Sequence, residues 1–203
     1  MSEEVPLRRI RSILAGGGAC TSDHDLNDGF PVGHDGKLVE AGVLVPLVRR
    51  GGGINVVLTQ RAPGLKHHAG QVSFPGGRLE PGDGSPQAAA LREAREEIGL
   101  DPEAVEILGQ CPVHETTTGF RITPFVGLLT RNVSFVPQEE EVDDIFEVPF
   151  EFLMNPGNFC IEWRHWKGTR RYFRAVTHRG RYVWGATAGI LYGLAQRYSQ
   201  SCA

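Results

Sequence analysis

The sequence lacks any long apolar run. Its longest, "AGVLVPLV" at 41–48, is far short of the roughly 20 residues that span a bilayer. It also lacks paired cysteines. Cys20, Cys111, Cys160 and Cys202 are scattered, with no C-x-x-C, which argues against a zinc site and a disulfide framework and fits reduced thiols. Charge of one sign is missing as well. The 21 Lys and Arg against 24 Asp and Glu give −3, so there is no global pull toward nucleic acid or an anionic membrane. The opening "MSEEVPLRRIRSIL" has no apolar core of signal-peptide length, and the ending "SCA" is a poor peroxisomal address. A cytoplasmic protein is expected. There is no internal repeat.

What is present is ordinary for a globular domain: 203 residues, 40% hydrophobic and 22% charged. Residues 4–14 read as a short amphipathic helix. Residues 15–36 are rich in Gly and Asp and read as a loop or arm. The β-branched runs "LVEAGVLVPLV" and "INVVLTQR", separated by "RRGGG", predict two strands joined as a hairpin. Residues 61–84 read as a structured loop. A helix is predicted over 86–98, with Ser85 as N-cap, Pro86 at its first position and Gly99 as its stop. Further strands are expected near 104–113, 121–130 and 144–148, then a short helix at 149–154. A hairpin turning at "KGT" (167–169) follows, and "WGATAGILYGLAQRYSQ" closes the chain as a helix. The mixture predicts an α/β or α+β domain over 38–203, preceded by an N-terminal helix and arm at 1–37.

The helix raises a chemical question. At about 100° per residue, Glu93, Glu96 and Glu97 share an arc of roughly 100°, opposite Leu91, Ala94 and Ile98. Like charges four residues apart cost a helix roughly 0.2–0.5 kcal/mol. Two readings stand. The acids are a solvated face softened by Arg92 and Arg95, or they cradle hard divalent cations, which prefer oxygen ligands and often share them with substrate phosphates. The preceding "FPGG" supplies two glycines where backbone can approach a ligand closely. That loop leads into the same helix, which favours a site.

These residues resemble the signature of the Nudix hydrolases, which cleave nucleoside diphosphates linked to another group. Its common form is a glycine, five residues, a glutamate, seven residues, then Arg-Glu-apolar-x-Glu-Glu-x-Gly-apolar. "REAREEIGL" at 92–100 carries the second half in full. The first half departs from it. Gly77 is followed after five residues by Asp83 instead of Glu, and eight residues then separate Asp83 from Arg92. Upstream, "LTQRAPGLKHHAGQVSFPGG" at 58–77 resembles the motif of the coenzyme A diphosphatase branch, in which the departure also occurs. The resemblance covers about residues 38 to 200.

The resemblance implies a Nudix fold, a mixed β-sheet sandwiched between α-helices. It implies hydrolysis of coenzyme A or its derivatives to 3′,5′-adenosine bisphosphate and a 4′-phosphopantetheine product, with Mg²⁺ or Mn²⁺. Glu93 and Glu97 are then the first metal ligands. Glu96 is a third ligand or a base, and the Gly77 carbonyl joins the set. Arg92 holds a glutamate in place by a charge-assisted hydrogen bond. Asp83 either fixes the loop or is a plain turn residue. Glu141, in "QEEEVDDIFEVP", is a candidate general base or part of a solvated acidic loop. Arg61, Lys66, His68 and Gly76 are candidates for binding the phosphate-rich substrate, Arg forks being suited to phosphate. His68 has an alternative as a structural hydrogen bond within its loop. The partner is a small molecule, with no nucleic acid and no membrane, in a possible homodimer.

Rival readings remain open. One is a Nudix hydrolase of ADP-ribose, dinucleoside polyphosphates or oxidised nucleotides. A catalytically silent regulator is disfavoured by the intact glutamates. Another rival is a nucleic-acid-binding protein using the basic and aromatic stretch 161–181. Strand alternation offers a simpler account of that stretch, with Trp163 and Tyr172 in the core and basic residues outside.

Overall fold

The computed structural model describes residues 4–27, 37–51, 53–166 and 168–201. Helix α1 (Glu4–Ala15) opens the chain. Strand β1 (Thr21–Ser22) and a 3-10 turn (Asp23–Leu26) follow. Then come β2 (Val39–Arg50), β3 (Gly53–Arg61), β4 (Val72–Ser73), β5 (Gly76–Arg78) and α2 (Pro86–Ile98). Next are β6 (Val105–Gln110), β7 (His114–Glu115), β8 (Phe120–Leu129), β9 (Val142–Pro149) and α3 (Phe150–Leu153). The chain ends with β10 (Phe159–Trp166), β11 (Thr169–His178), β12 (Arg181–Trp184) and α4 (Ala186–Gln200).

The main sheet is mixed. β2 pairs antiparallel with β3 and parallel with β8, while β9 pairs with β3 and β6 with β8, both antiparallel. The expected hairpin is present, Arg50 opposing Gly53. The central strands are apolar on both faces because both are covered. Leu44 and Val48 of β2 and Val57 of β3 pack beneath α2, with Ala90, Ala94 and Ile98. Val45 and Leu47, with Val56 and Leu58, face the other layer, where Leu7, Ile10 and Leu14 of α1 join Leu191 and Leu194 of α4. The sandwich of sheet between helices is therefore as expected. No helix among the described residues is long and apolar enough to cross a membrane.

Two expectations need correction. Residues 15–36 are not simply a loop. Within this span Thr21 and Ser22 pair in parallel with His114 and Glu115, and the 3-10 turn carries a capping box at Ser22. Residues 28–36 of that stretch, like Lys167 in the predicted "KGT" turn, lie outside the described residues.

The second correction concerns the hairpin β10–β11, part of a separate three-stranded sheet. Its alternation has the opposite phase. Phe173 and Ala175 are buried, whereas Tyr172 is 37% and Trp163 is 45% exposed. Side chains alternate across a strand, so Arg171 shares the inward face with Phe173. Arg164, opposite Arg171 in register, lies over the Trp184 ring at 4.6 Å on that side. Of the outward aromatics, Trp163 is covered by a cation, with Arg170 4.4 Å from its ring centroid.

Candidate active site

Helix α2 is built as its sequence dictates. The Ser85 hydroxyl accepts from the Ala88 N–H at 3.2 Å. Gly99 closes the helix in the left-handed region at φ 66°, its N–H bonding back to Ala94 and Arg95 carbonyls. The apolar face of α2 lies on the sheet, which turns Glu93 and Glu97 toward the "FPGG" loop. β5 pairs with β2 and brings Gly76 and Gly77 opposite Val43 and Gly42. The Gly76 N–H donates to Glu97 Oε2 at 3.2 Å. A Cβ on Gly77 would stand 2.2 Å from Glu93 Oε1, so glycine lets the carboxylate sit against this turn where a side chain would push it aside.

Around these groups lies a cavity of about 440 Å³. Glu93, Glu97, Glu141, Arg61, His68, Gly76 and Gly77 all line it. Glu97 is buried, at 2% exposure. Arg61 Nη1 lies 3.5 Å from its Oε1, while Arg61 Nε is buried without a hydrogen-bond partner among the described residues. Glu141 is tied to the same place by its carbonyl, which accepts from the Ala62 N–H at 2.9 Å. His68 sits at φ 59°, uncommon for a non-glycine residue, with Nδ1 2.9 Å from Gln71 Oε1.

Burial dominates the titration of this wall. It pushes Glu97 up to about 8; the Gly76 N–H and Arg61 oppose the rise, while Glu93 and Glu141 add to it. Glu93 is raised too, first by burial, against the pull of Arg92 and with repulsion from Glu96 and Glu141. Crowded acids held in this way favour a divalent cation, whose charge inverts the repulsion.

Arg92 lies behind the wall. Its Nε and Nη2 grip both oxygens of Asp83 at 2.8 and 3.1 Å, and its Nη1 reaches Glu93 at 3.1 Å and Glu96 at 2.8 Å. Asp83 is lowered by the Arg92 bond first and the Glu80 N–H second. Asp83 thus fastens the acidic loop to α2. Three sequence candidates stand apart from the cavity, Arg92 being the first. Glu96 is 58% exposed and turned to Arg92, and Lys66 is exposed and not among the lining residues.

The sequence reading missed several lining groups: Asp23, Thr116, Thr118, Arg171 and Trp184. Strand phase was the one signal for Arg171, and it was read inverted. Asp23 had no local signal.

Among the described residues, no three His, Cys, Asp or Glu side chains already form a metal cage. The donor set nevertheless suits a hard cation. Two inward carboxylates one helical turn apart, beside a glycine turn, match Mg²⁺, which is commonly bound by one or two carboxylates plus waters and substrate phosphates.

The sequence model of the NUDIX domain matches residues 39–172. The chain belongs to the Nudix hydrolase family and is a hydrolase acting on diphosphate bonds. It is 42% identical over 156 residues to an uncharacterised Nudix hydrolase, NudL, of Klebsiella pneumoniae (strain 342), covering 77% of this chain and 81% of the relative. The NudL of Citrobacter koseri is 40% identical with the same coverage. The crystal structure of a MutT protein from Methanosarcina mazei Go1 aligns with TM-score 0.51 at 15% identity, over 82% of this chain and 96% of that one, a likeness of fold.

Proposed function

We propose that the chain hydrolyses the diphosphate of coenzyme A or an acyl derivative, giving 3′,5′-adenosine bisphosphate and a 4′-phosphopantetheine product, with Mg²⁺ or Mn²⁺ as cofactor. One observation carries this reading. The 58–77 segment, whose residues resemble the coenzyme A branch, folds over the glutamate helix, so that Arg61, His68, Gly76, Glu93 and Glu97 line a single cavity.

A diphosphate carries repelling oxygens and resists attack by water. When bound, a divalent cation neutralises those oxygens and acidifies a water. Glu93 and Glu97 are the residues that would hold it, and the family resemblance adds the Gly77 carbonyl to that set. Arg61, which lines the cavity beside Glu97, offers its guanidinium charge to a phosphate oxygen. Glu141, on the cavity wall, is better placed than Glu96 to accept the proton of the attacking water. The water oxygen bonds to one phosphorus as the bridging oxygen leaves with the other phosphate. Arg92 and Asp83 keep the glutamates and the loop in register.

The test is product analysis after incubation with coenzyme A and Mn²⁺. Wild type releases adenosine bisphosphate, and Glu97→Gln loses at least about 100-fold in rate. A wild-type protein that leaves coenzyme A intact while cleaving ADP-ribose or a dinucleoside polyphosphate overturns the substrate assignment.

A further inference from the structure

The cavity has a second wall, assembled from distant parts of the chain. Its centre is Asp23, on the 3-10 turn after β1. The segment is clamped at both ends. Thr21 and Ser22 pair with β7. Asn27, 4% exposed, donates from Nδ2 to the Tyr172 carbonyl at 2.8 Å and accepts the Tyr172 N–H at 2.7 Å. Between the clamps, Asp23 Oδ2 accepts from Arg171 Nη2 at 2.9 Å and from the Thr117 N–H at 3.2 Å, and Oδ1 lies 3.3 Å from His114 Nε2. Burial alone would raise Asp23, but the His114 bond and charge, then Arg171 and the Thr117 N–H, hold it below the usual carboxylate range.

Arg171 is only partly occupied by this contact. A guanidinium has five N–H donors. Among the described residues Asp23 is its one hydrogen-bond partner, through Nη2. Its side chain is 22% exposed and borders the cavity, where Phe120 and Trp184 give apolar surface suited to a nucleoside. The hydrolysed diphosphate belongs beside Glu93, Glu97 and Arg61. A cation carried by other elements of the chain suits a different anion. We propose that Arg171 binds a second anionic group of the substrate, the 3′-phosphate of coenzyme A, and that Asp23 is the positioning residue that aims it. This rests on the coenzyme A reading for the identity of the anion. It concerns a segment, 21–27, that lies outside the matched NUDIX region.

The experiment measures kcat and KM for coenzyme A and dephospho-coenzyme A with Mn²⁺. Alongside, it measures calorimetric binding of 3′,5′-adenosine bisphosphate and 5′-AMP without metal. Wild type prefers the 3′-phosphorylated member of each pair. Arg171→Gln lowers that preference about tenfold, through KM more than kcat, Arg171→Lys restores part of it, and Asp23→Asn lowers it partially. A wild type without preference, or an Arg171→Gln protein that keeps it, overturns the proposal. Should Arg171→Gln fail to fold, phenylglyoxal labelling of the wild-type protein decides. Bisphosphate protects Arg171 and 5′-AMP does not; equal labelling overturns the assignment. Two failures are distinct. Coenzyme A hydrolysis with a preference indifferent to Arg171 sinks this proposal alone. An Arg171-dependent preference in a protein that leaves coenzyme A intact sinks the proposed activity alone.

Discussion

The two walls of the cavity are built by opposite routes. The glutamate wall comes from residues 61 to 97 and from Glu141, and its core is one loop and the helix it leads into. The Arg171 wall joins positions 23, 116, 118, 171 and 184, which no local pattern links. In the first wall, burial favours the protonated forms of Glu93 and Glu97. The second holds an acid kept ionised by its donors. The difference matches the proposed division of labour: one side would collect cations, the other presents one, on Arg171. If both proposals hold, the chain writes its reactive centre locally while its selectivity depends on distant segments meeting.

The sharpest way to break the comparison is Gly77→Ala. The added methyl would meet Glu93 Oε1 at 2.2 Å, so the Glu93 carboxylate must swing out of its present position. We expect a loss of about 100-fold in kcat/KM in Mn²⁺, with the preference for a 3′-phosphate retained. Steady-state kinetics on both coenzyme forms checks this. A loss of preference equal to the loss of rate would mean that the two walls are not separable.

A smaller effect is pH dependence in metal-free protein. Glu97 rises from an ordinary 4.5 to about 8 on folding, so between these values the folded chain keeps a proton that the unfolded chain has released. Its contribution to stability is full below about pH 4.5 and is lost as pH climbs through about 8. Thermal melts in chelator at pH 5.5 and 8 should show Tm falling, and Glu97→Gln should flatten the trend. Mn²⁺ should raise Tm more at pH 8, because ligation requires the carboxylate.

The smallest effect is expected on the outward face of the hairpin. Trp163 is 45% exposed and touches neither wall, so Trp163→Ala should cost only about 1 kcal/mol, through lost contact with Arg170 and His165, and leave activity intact. Urea denaturation and the coenzyme A assay check it. A large loss would place that face in a buried contact.

Much of the fold was legible because local rules agreed. Ser85, Pro86 and Gly99 bounded α2, and the apolar runs around "RRGGG" gave the β2–β3 hairpin. The grouping of Glu93 and Glu97 follows from helical period alone. The phase of β11 was not legible, because alternation pairs Tyr172 against Phe173 without saying which faces inward. Arg171 and Trp163 were therefore assigned to the wrong sides. Glu96 shows the same limit on a helix: the period places it beside Glu93, but the Arg92 contact turns it from the cavity.

The sequence alone determined what short-range physics controls: helix ends, strand runs, and the spacing of acids after a glycine turn. Tertiary structure alone decided which of those acids are buried, and that Asp23 lies against Arg171, 148 positions further along the chain. The reason is that burial and ion pairing depend on which surfaces meet, and the meeting of β1 with β7, and of Asn27 with β11, is set by packing rather than by any neighbouring residue.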